Sequence, residues 1–288
     1  MRRTDIRFNT VADDYPRMRI DIALCQYTPV RGDPEANAER IEKALRDGPG
    51  DVVMLPEMFL TGYGFPCDGL EETTERCIGE ISDLCRMLDK AAVVGAPRFE
   101  SDLVYNSMAF LSPDGDSWYD KAHLASFGVY AETGFAPGYA PAMGSYHGVL
   151  FGMSICYDIF FPEILHGCSL NGASVNICSA ASAVQSKPFL DRVLPARALE
   201  DVTYLAYINN VGSMDGLVMH GCSRGLDPFG DVLAQCGDVE GSAVFTVDTD
   251  RLEEARNVRR HLSDYRADID WGVQGYDDER GHPKVLIR

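Results

Sequence analysis

Three short stretches carry residues that could act together as acid, base and nucleophile. In GMSICYDIFFPE, residues 152–163, an apolar run ends in Cys156, and Pro162-Glu163 follow. Proline suits the first turn of a helix and glutamate its positive end, so Cys156 is expected on a strand-to-helix turn. Helix-start N–H groups at such a turn lower a thiol pKa and offer donors to an oxyanion. In DVVMLPEMFLTGY, residues 51–63, Glu57 follows an apolar strand, at the end of the sheet where open α/β folds bind ligands. In WYDKAHLASFGVYAETGFAPG, residues 118–138, Lys121 is accompanied by a second carboxylate, Glu132. Singly, each has a plainer reading: a packed cysteine, a strand-end carboxylate, a solvated lysine. Jointly they could form a hydrolytic set. The carboxylate takes the thiol proton, the thiolate attacks a carbonyl or nitrile carbon, and the ammonium stabilises the charge that develops.

The elements that must position these groups can be read from the apolar pattern. Runs rich in β-branched residues at 19–27, 51–57, 91–99, 104–113, 149–156, 173–180, 203–212 and 242–248 read as buried strands. Helical periodicity occupies 34–48, opened by Asp33-Pro34, then 73–89, 162–173 and 187–202, where Pro195 should kink or restart the helix. GLDPFGDVLA, residues 225–234, signals a hairpin. The order is β-α-β-α-β-β, a long irregular stretch, then β-α-β-α-β and the hairpin. Strands alternating with helices make this an α/β protein. One domain is expected over residues 18–288, with a charged tail from about 255. Residues 1–17 are polar and aperiodic, so they read as a loose extension, with Met18 as an alternative start.

Composition removes several function classes. Of 288 residues, 45% are hydrophobic and 24% charged, enough for a large core. A formal net charge of −18 repels phosphate backbones and anionic lipid, so neither nucleic acid nor membrane is expected as a partner. The nine cysteines include no C-x-x-C pair and suit neither a zinc site nor a disulfide framework. Several, such as Cys25, Cys85 and Cys178, sit in apolar runs as small hydrophobes, which points to a reducing compartment, the cytoplasm. The start lacks the apolar core of a signal peptide, and no apolar run reaches the ~18 residues a membrane span needs.

With the three stretches in this order, the chain resembles the nitrilase superfamily of carbon–nitrogen hydrolases from about Arg19 to about Asp268. Leu55-Pro56-Glu57 with Thr61-Gly62-Tyr63 is similar to the family's glutamate motif. Tyr119-Asp120-Lys121-Ala122-His123-Leu124 is similar to its lysine motif, and Cys156-Tyr157-Asp158 with Phe161-Pro162-Glu163 to its cysteine motif. Tyr105-Asn106-Ser107, Arg197-Ala198-Leu199-Glu200, Asn209-Asn210-Val211-Gly212, Gly221-Cys222-Ser223 and Asp227-Pro228-Phe229-Gly230 match further segments in order.

The resemblance implies a four-layer αββα sandwich that pairs into a homodimer or higher homo-oligomer. It casts Glu57 as general base, Lys121 as transition-state stabiliser and Cys156 as nucleophile. Glu132 would support the lysine, and the N–H of Tyr157 would complete the oxyanion site. It implies no metal and no organic cofactor. True nitrilases carry Trp-Glu after the cysteine, whereas Tyr157-Asp158 is more like the amidase and carbamoylase branches. A small amide or carbamoyl compound is therefore the expected substrate, with an aliphatic nitrile as the alternative. Ile159, Phe160 and Phe161 place no cation after the cysteine, which suggests an uncharged acyl side. Arg224 is the nearest candidate cation in the later motifs. Tyr63, Tyr157 and Phe160 are candidate lining residues, with core packing the alternative for each. Two rivals remain: an idle binding protein of the same fold, and a Cys-His hydrolase using His123 or His166.

Overall fold

Alternation along the strands sorts the apolar residues into layers. The computed structural model describes residues 17–269 apart from 127, 129, 130 and 215. Residues 1–16 of the expected extension and the tail beyond 269 lie outside the described residues. Strands β1 (Arg19–Gln26), β2 (Val52–Met54), β3 (Ala91–Glu100), β4 (Leu103–Leu111) and β5 (Ser117–Asp120) form a first sheet. Strands β6 (Met143–Tyr146), β7 (Val149–Ile155), β8 (Val175–Ala180) and β9 (Tyr204–Asn209) belong to a second. A separate ribbon, β10 (Val211–Met214) with β11 (Leu217–His220), follows. Then β12 (Arg224–Leu226) and β13 (Val232–Gln235) extend the second sheet, and β14 (Gly241–Asp248) returns to lie beside β1. In each sheet the middle strands are parallel, β1-β2-β3 and β7-β8-β9, with antiparallel strands at the flanks.

Ile20, Ile22 and Leu24 of β1 face Phe151, Met153 and Ile155 of β7 in the core between the sheets. Their neighbours Ala23 and Cys25 point outward, against helices α1 (Pro34–Asp47) and α2 (Glu71–Leu88). The outer face of the second sheet is covered in the same way. Cys178, Leu205 and Tyr207 pack against Leu165 of α3 (Pro162–Leu170) and Leu190, Leu194 and Ala198 of α4 (Lys187–Asp201). The result is the expected αββα sandwich, with period-2 alternation separating inner from outer layers. At α1, Asp33 caps the first turn by accepting from the Ala36 N–H at 3.0 Å. All nine cysteines are free. No helix among the described residues is long and apolar enough to cross a membrane.

Four sequence expectations need correction. Pro195 does not restart a helix: α4 runs through it, because Leu194 and Ala198 on either side are packed into the outer core. The strand expected over 203–212 ends at Asn209. There Asn210 leaves the sheet, its side chain donating to the Glu57 carbonyl at 3.0 Å. The stretch read as irregular after residue 113 contains β5 and β6, four residues each and too short to show a period. The tail from about 255 begins inside a packed helix, α5 (Thr249–Val258), capped by Asp248 and anchored by the buried Leu252.

One close approach decides where Glu57 can sit. After β2 the chain passes over β3 at Gly95, and Met58 adopts a left-handed φ of 52°. A Cβ on Gly95 would lie 2.4 Å from both the Met58 nitrogen and the Pro56 oxygen. Only glycine lets the two segments meet so closely. Gly95→Ala is therefore expected to lower stability by about 2 kcal/mol or more, read as a lower denaturant midpoint. An unchanged midpoint would mean that the Glu57 segment is free to shift.

Candidate active site

Glu57, Lys121 and Glu132 come from three separate segments and meet in one buried cluster. Glu57 lies just past β2, Lys121 directly after β5, and Glu132 in the loop beyond. Lys121 is wholly buried. Its Nζ donates to Glu57 Oε1 at 2.8 Å and to Glu132 Oε1 at 2.9 Å. Asn106 of β4 repeats the pattern, with its Nδ2 2.8 Å from Glu57 Oε1 and 2.6 Å from Glu132 Oε1. Each carboxylate completes itself on a backbone amide. Glu57 Oε2 accepts from Ala181 and Glu132 Oε2 from Ala125, both at 2.7 Å. Two carboxylates thus share one ammonium and one amide.

The electrostatics follow from that count. Burial alone would strip the proton from Lys121, but the negative charges around it, Glu57 foremost, hold its pKa well above the usual lysine value. Glu57 is raised above the ordinary carboxylate value. Burial is the main cause and Glu132 adds to it, while Lys121 opposes both. A base raised in this way holds a proton more readily once it has taken one.

Cys156 stands at the end of β7, on a turn sharper than the sequence suggests. It opens a single turn of 3-10 helix, Cys156–Phe160, and α3 starts only at Pro162. Its own φ is 48°, in the left-handed region that a side chain occupies at a cost. The wholly buried Asp158 holds this elbow. Its Oδ2 accepts from the Ile155 N–H at 3.1 Å and the Tyr119 hydroxyl at 2.8 Å. Its Oδ1 accepts from the His123 N–H at 2.8 Å and pairs with His123 Nδ1 at 2.9 Å. Tyr119 and His123 flank Lys121, so one carboxylate ties the lysine stretch to the cysteine stretch.

The expectation of a lowered thiol pKa is overturned. Although Cys156 keeps some accessible surface, loss of hydration is the largest influence on it. The Glu57 charge adds to that, and together they outweigh Lys121 and push the thiol up to about 12. Cys156 is therefore a thiol at rest and would need a base to act as a nucleophile. The sulfur lies 3.5 Å from the Ser182 hydroxyl.

The other sequence candidates fall in different places. Tyr63 is buried, and burial above all, with Glu57, Glu132 and Cys156 adding to it and Lys121 opposing, raises its pKa. Tyr157 follows Cys156 on the 3-10 turn. Phe160 is 36% exposed at the end of that turn, its ring 6.0 Å from that of Tyr157. The IFF triplet does not act as one apolar wall. Ile159 packs into the outer core, and Phe161 stacks on the His123 ring at 3.6 Å. Arg224 is held by Asp191 at 2.7 Å. His123 and His166 are paired with Asp158 and Asp201.

The sequence reading missed Asn106 as a bridge and Asp158 as a clamp. Both are polar residues inside apolar runs, and a buried polar group must find partners.

The sequence model of the carbon-nitrogen hydrolase family matches residues 21–257. An (R)-stereoselective amidase from Pseudomonas sp. is 31% identical, over 85% of this chain and 91% of its own length. A 2-oxoglutaramate amidase from Bacillus subtilis (strain 168) is also 31% identical, over 88% of this chain and 100% of its own. Among solved structures, an amidase from Nesterenkonia sp. superposes with a TM-score of 0.72 at 26% identity. That match covers 83% of this chain and 94% of the other. A variant of the amidase from Nesterenkonia sp. AN1 carries the acetamide moiety of fluoroacetamide covalently at its active-site cysteine. It superposes with a TM-score of 0.74 at 25% identity, covering 86% and 94% of the two chains.

Asp158 is the most exposed point of failure in this arrangement. Asp158→Asn would set amide hydrogens against existing donors, and is expected to cost about 3 kcal/mol in denaturant unfolding. Wild-type stability in that variant would show that the elbow does not depend on the carboxylate.

Proposed function

This chain belongs to the carbon-nitrogen hydrolase family, and on that footing we propose that it cleaves a small amide with an uncharged acyl group through a thioester on Cys156. The observation that carries the reading is the buried Glu57–Lys121–Glu132 cluster, of which Glu57 and Lys121 act directly on the Cys156 thiol. Two kinds of activation are available to a buried thiol: a lowered pKa or an adjacent base. With the thiol at about 12, the base carries the burden.

The steps balance around one travelling proton. Glu57 accepts the proton from Cys156 as the sulfur attacks the amide carbon, and the carbonyl π electrons move to oxygen. Lys121 and the Tyr157 N–H hold the oxyanion. The oxyanion collapses and the C–N bond breaks, with Glu57 returning its proton to the departing ammonia or amine. Water then enters, Glu57 takes one of its protons, and hydroxide displaces the thiolate from the thioester. The carboxylic acid leaves, and Glu57 gives its proton to the thiolate, which restores the thiol and the carboxylate. Glu132 and Asn106 do not exchange protons in this scheme. They hold Lys121 and Glu57 at fixed positions.

The apolar character of the surroundings supports an uncharged acyl group. Ala181, whose N–H binds Glu57, belongs to a cluster with Met58, Tyr63, Met214 and Met219, and Phe135 packs against it. A substrate carboxylate against this cluster would lose its hydration without a partner. Arg197 and Arg224 are engaged elsewhere, on the Ile159 carbonyl with Glu200 and on Asp191.

Ammonia release from a panel of small amides, carbamoyl compounds and nitriles tests the reading. Uncharged amides should turn over, and Cys156→Ala should abolish turnover without lowering the melting temperature. Wild type under substrate should gain the mass of one acyl group on Cys156. Full activity in Cys156→Ala would exclude this nucleophile. The pH profile gives a second check. Glu57 must be ionised to act as base, so kcat/KM should fall as pH drops through a pKa above the ordinary carboxylate value of 4.5. An acid limb at or below 4.5 would remove Glu57 from that role.

A further inference from the structure

The packing around Cys156 restricts where a group carried on its sulfur can lie. Cys156 packs against the core between the sheets and against the outer core beneath α4, both built from buried side chains. Its sulfur also meets the Ser182 hydroxyl at 3.5 Å. The residues on either side of Ser182, Ala181 and Ala183, belong to a separate, smaller apolar cluster. Met58, which follows Glu57, and Phe135, just past Glu132, belong to the same cluster. Ala183, Phe135 and Leu217 are only partly buried, so this cluster reaches solvent. An acyl group on the sulfur has no room in the two filled cores and is directed toward it.

One element of that cluster carries none of the reacting groups. β10 and β11 pair antiparallel outside both sheets, with Gly212 opposite Met219 and Met214 opposite Leu217. Side chains alternate along a strand and cross-strand partners share a face, so Met214, Leu217 and Met219 lie together. All three pack in the cluster. The intervening pair, Ser213 and Val218, faces the other way and is exposed. A lone two-stranded ribbon is marginal, and this one is tied down at its base. The His220 N–H donates to the Ser182 carbonyl at 3.2 Å, Met219 bridges to Ala183, and the Thr28 hydroxyl donates to the Val211 carbonyl at 3.0 Å. Met219 therefore stands beside the segment that touches the sulfur, and Met214 stands further out, at the turn.

We propose that the Met214–Leu217–Met219 face of this ribbon is the far wall of the acyl site and limits acyl length, which makes the substrates amides of short, straight-chain aliphatic acids. The inference rests on the amidase reading above and names the acyl class for it. Met219 bounds the site near the sulfur and Met214 bounds its outer end. Methionine supplies most of the buried cluster, as Met58, Met214 and Met219. Its unbranched, polarisable side chain moulds itself to a flexible alkyl chain. A chain that reaches Met214 has to displace it from buried contacts, and the anchored base keeps the ribbon from withdrawing as a body.

The test is kcat/KM across straight-chain amides from acetamide to octanamide. In wild type it should drop by roughly 10-fold or more at the chain length that meets Met214. Met214→Ala should move the drop to longer chains and raise the octanamide-to-propionamide ratio by about 10-fold, whereas Met214→Phe should move the drop to shorter ones. Val218→Ala, on the opposite face, should keep the wild-type ratio. The wall is refuted by wild-type rates that do not fall with acyl length, by a folded Met214→Ala enzyme with the wild-type ratio, or by an equal change in Val218→Ala. The wild-type series decides even if a variant fails to fold. If wild type releases ammonia from none of these amides nor from any other, the amidase reading itself falls.

Discussion

Everything at this site depends on keeping Lys121 charged while wholly out of water. An ammonium in that position would normally lose its proton, because its desolvation amounts to several kcal/mol. Two carboxylates within 2.9 Å reverse the outcome. The same carboxylates would repel one another without the ammonium between them. Neither charge type is tolerable alone, and the set is stable only when complete. Asn106 and the amides of Ala181 and Ala125 then occupy carboxylate lone pairs that water would otherwise fill. The cluster carries one net negative charge before the thiol is counted. A thiolate formed by loss of its proton to bulk water would add a second, which is why the thiol resists ionising. Transfer of the proton to Glu57 would leave the total unchanged, so the same electrostatics that hold the thiol protonated suit the internal base proposed for Glu57.

The two sheets are joined where this cluster sits. Ser179 of β8 donates to the Leu55 carbonyl at 2.9 Å, the Ala181 N–H reaches the Glu57 carboxylate, and Asn210 holds the Glu57 carbonyl. All three bonds run from β8, or from the residue just past β8 or β9, to the segment after β2. The sandwich core gives the layers their spacing, but these polar contacts fix the register between one strand end and the other. The base and nucleophile proposed here, Glu57 after a strand of the first sheet and Cys156 after a strand of the second, can be aligned only if that register is unique.

The layers were legible in the sequence because they follow from period-2 and helical alternation, as in Ile20, Ile22 and Leu24 against Ala23 and Cys25. The meeting of Glu57, Lys121 and Glu132 could not be read that way. It became visible only through the resemblance of whole stretches, since their separation along the chain carries no local signal. Asn106 and Asp158 were hidden for a related reason. Their type shows that they need partners, but not that those partners lie on Glu57, Glu132, Tyr119 and His123. The thiol pKa was misjudged because a helix-start argument counts nearby N–H dipoles. It does not count the loss of hydration or the Glu57 charge, and here those are larger. The meaning of Ile159 was likewise set by α4, far along the chain, whose Leu190 and Leu194 draw it into the outer core.

The left-handed backbone at Cys156 connects these points. A residue with a side chain pays roughly 1–2 kcal/mol for that conformation. Glycine would relieve the strain, but it has no thiol to present. The strain persists because Asp158 over-determines the turn, with the Ile155 N–H on one side and the Tyr119 hydroxyl and His123 N–H on the other. Those last two donors come from the residues around Lys121. Relaxing the elbow would therefore release the lysine stretch, and moving the lysine stretch would unseat the elbow. Local strain at Cys156 and long-range placement of the Lys121 ammonium are one constraint, satisfied through a single buried carboxylate that itself has no part in the proposed bond changes.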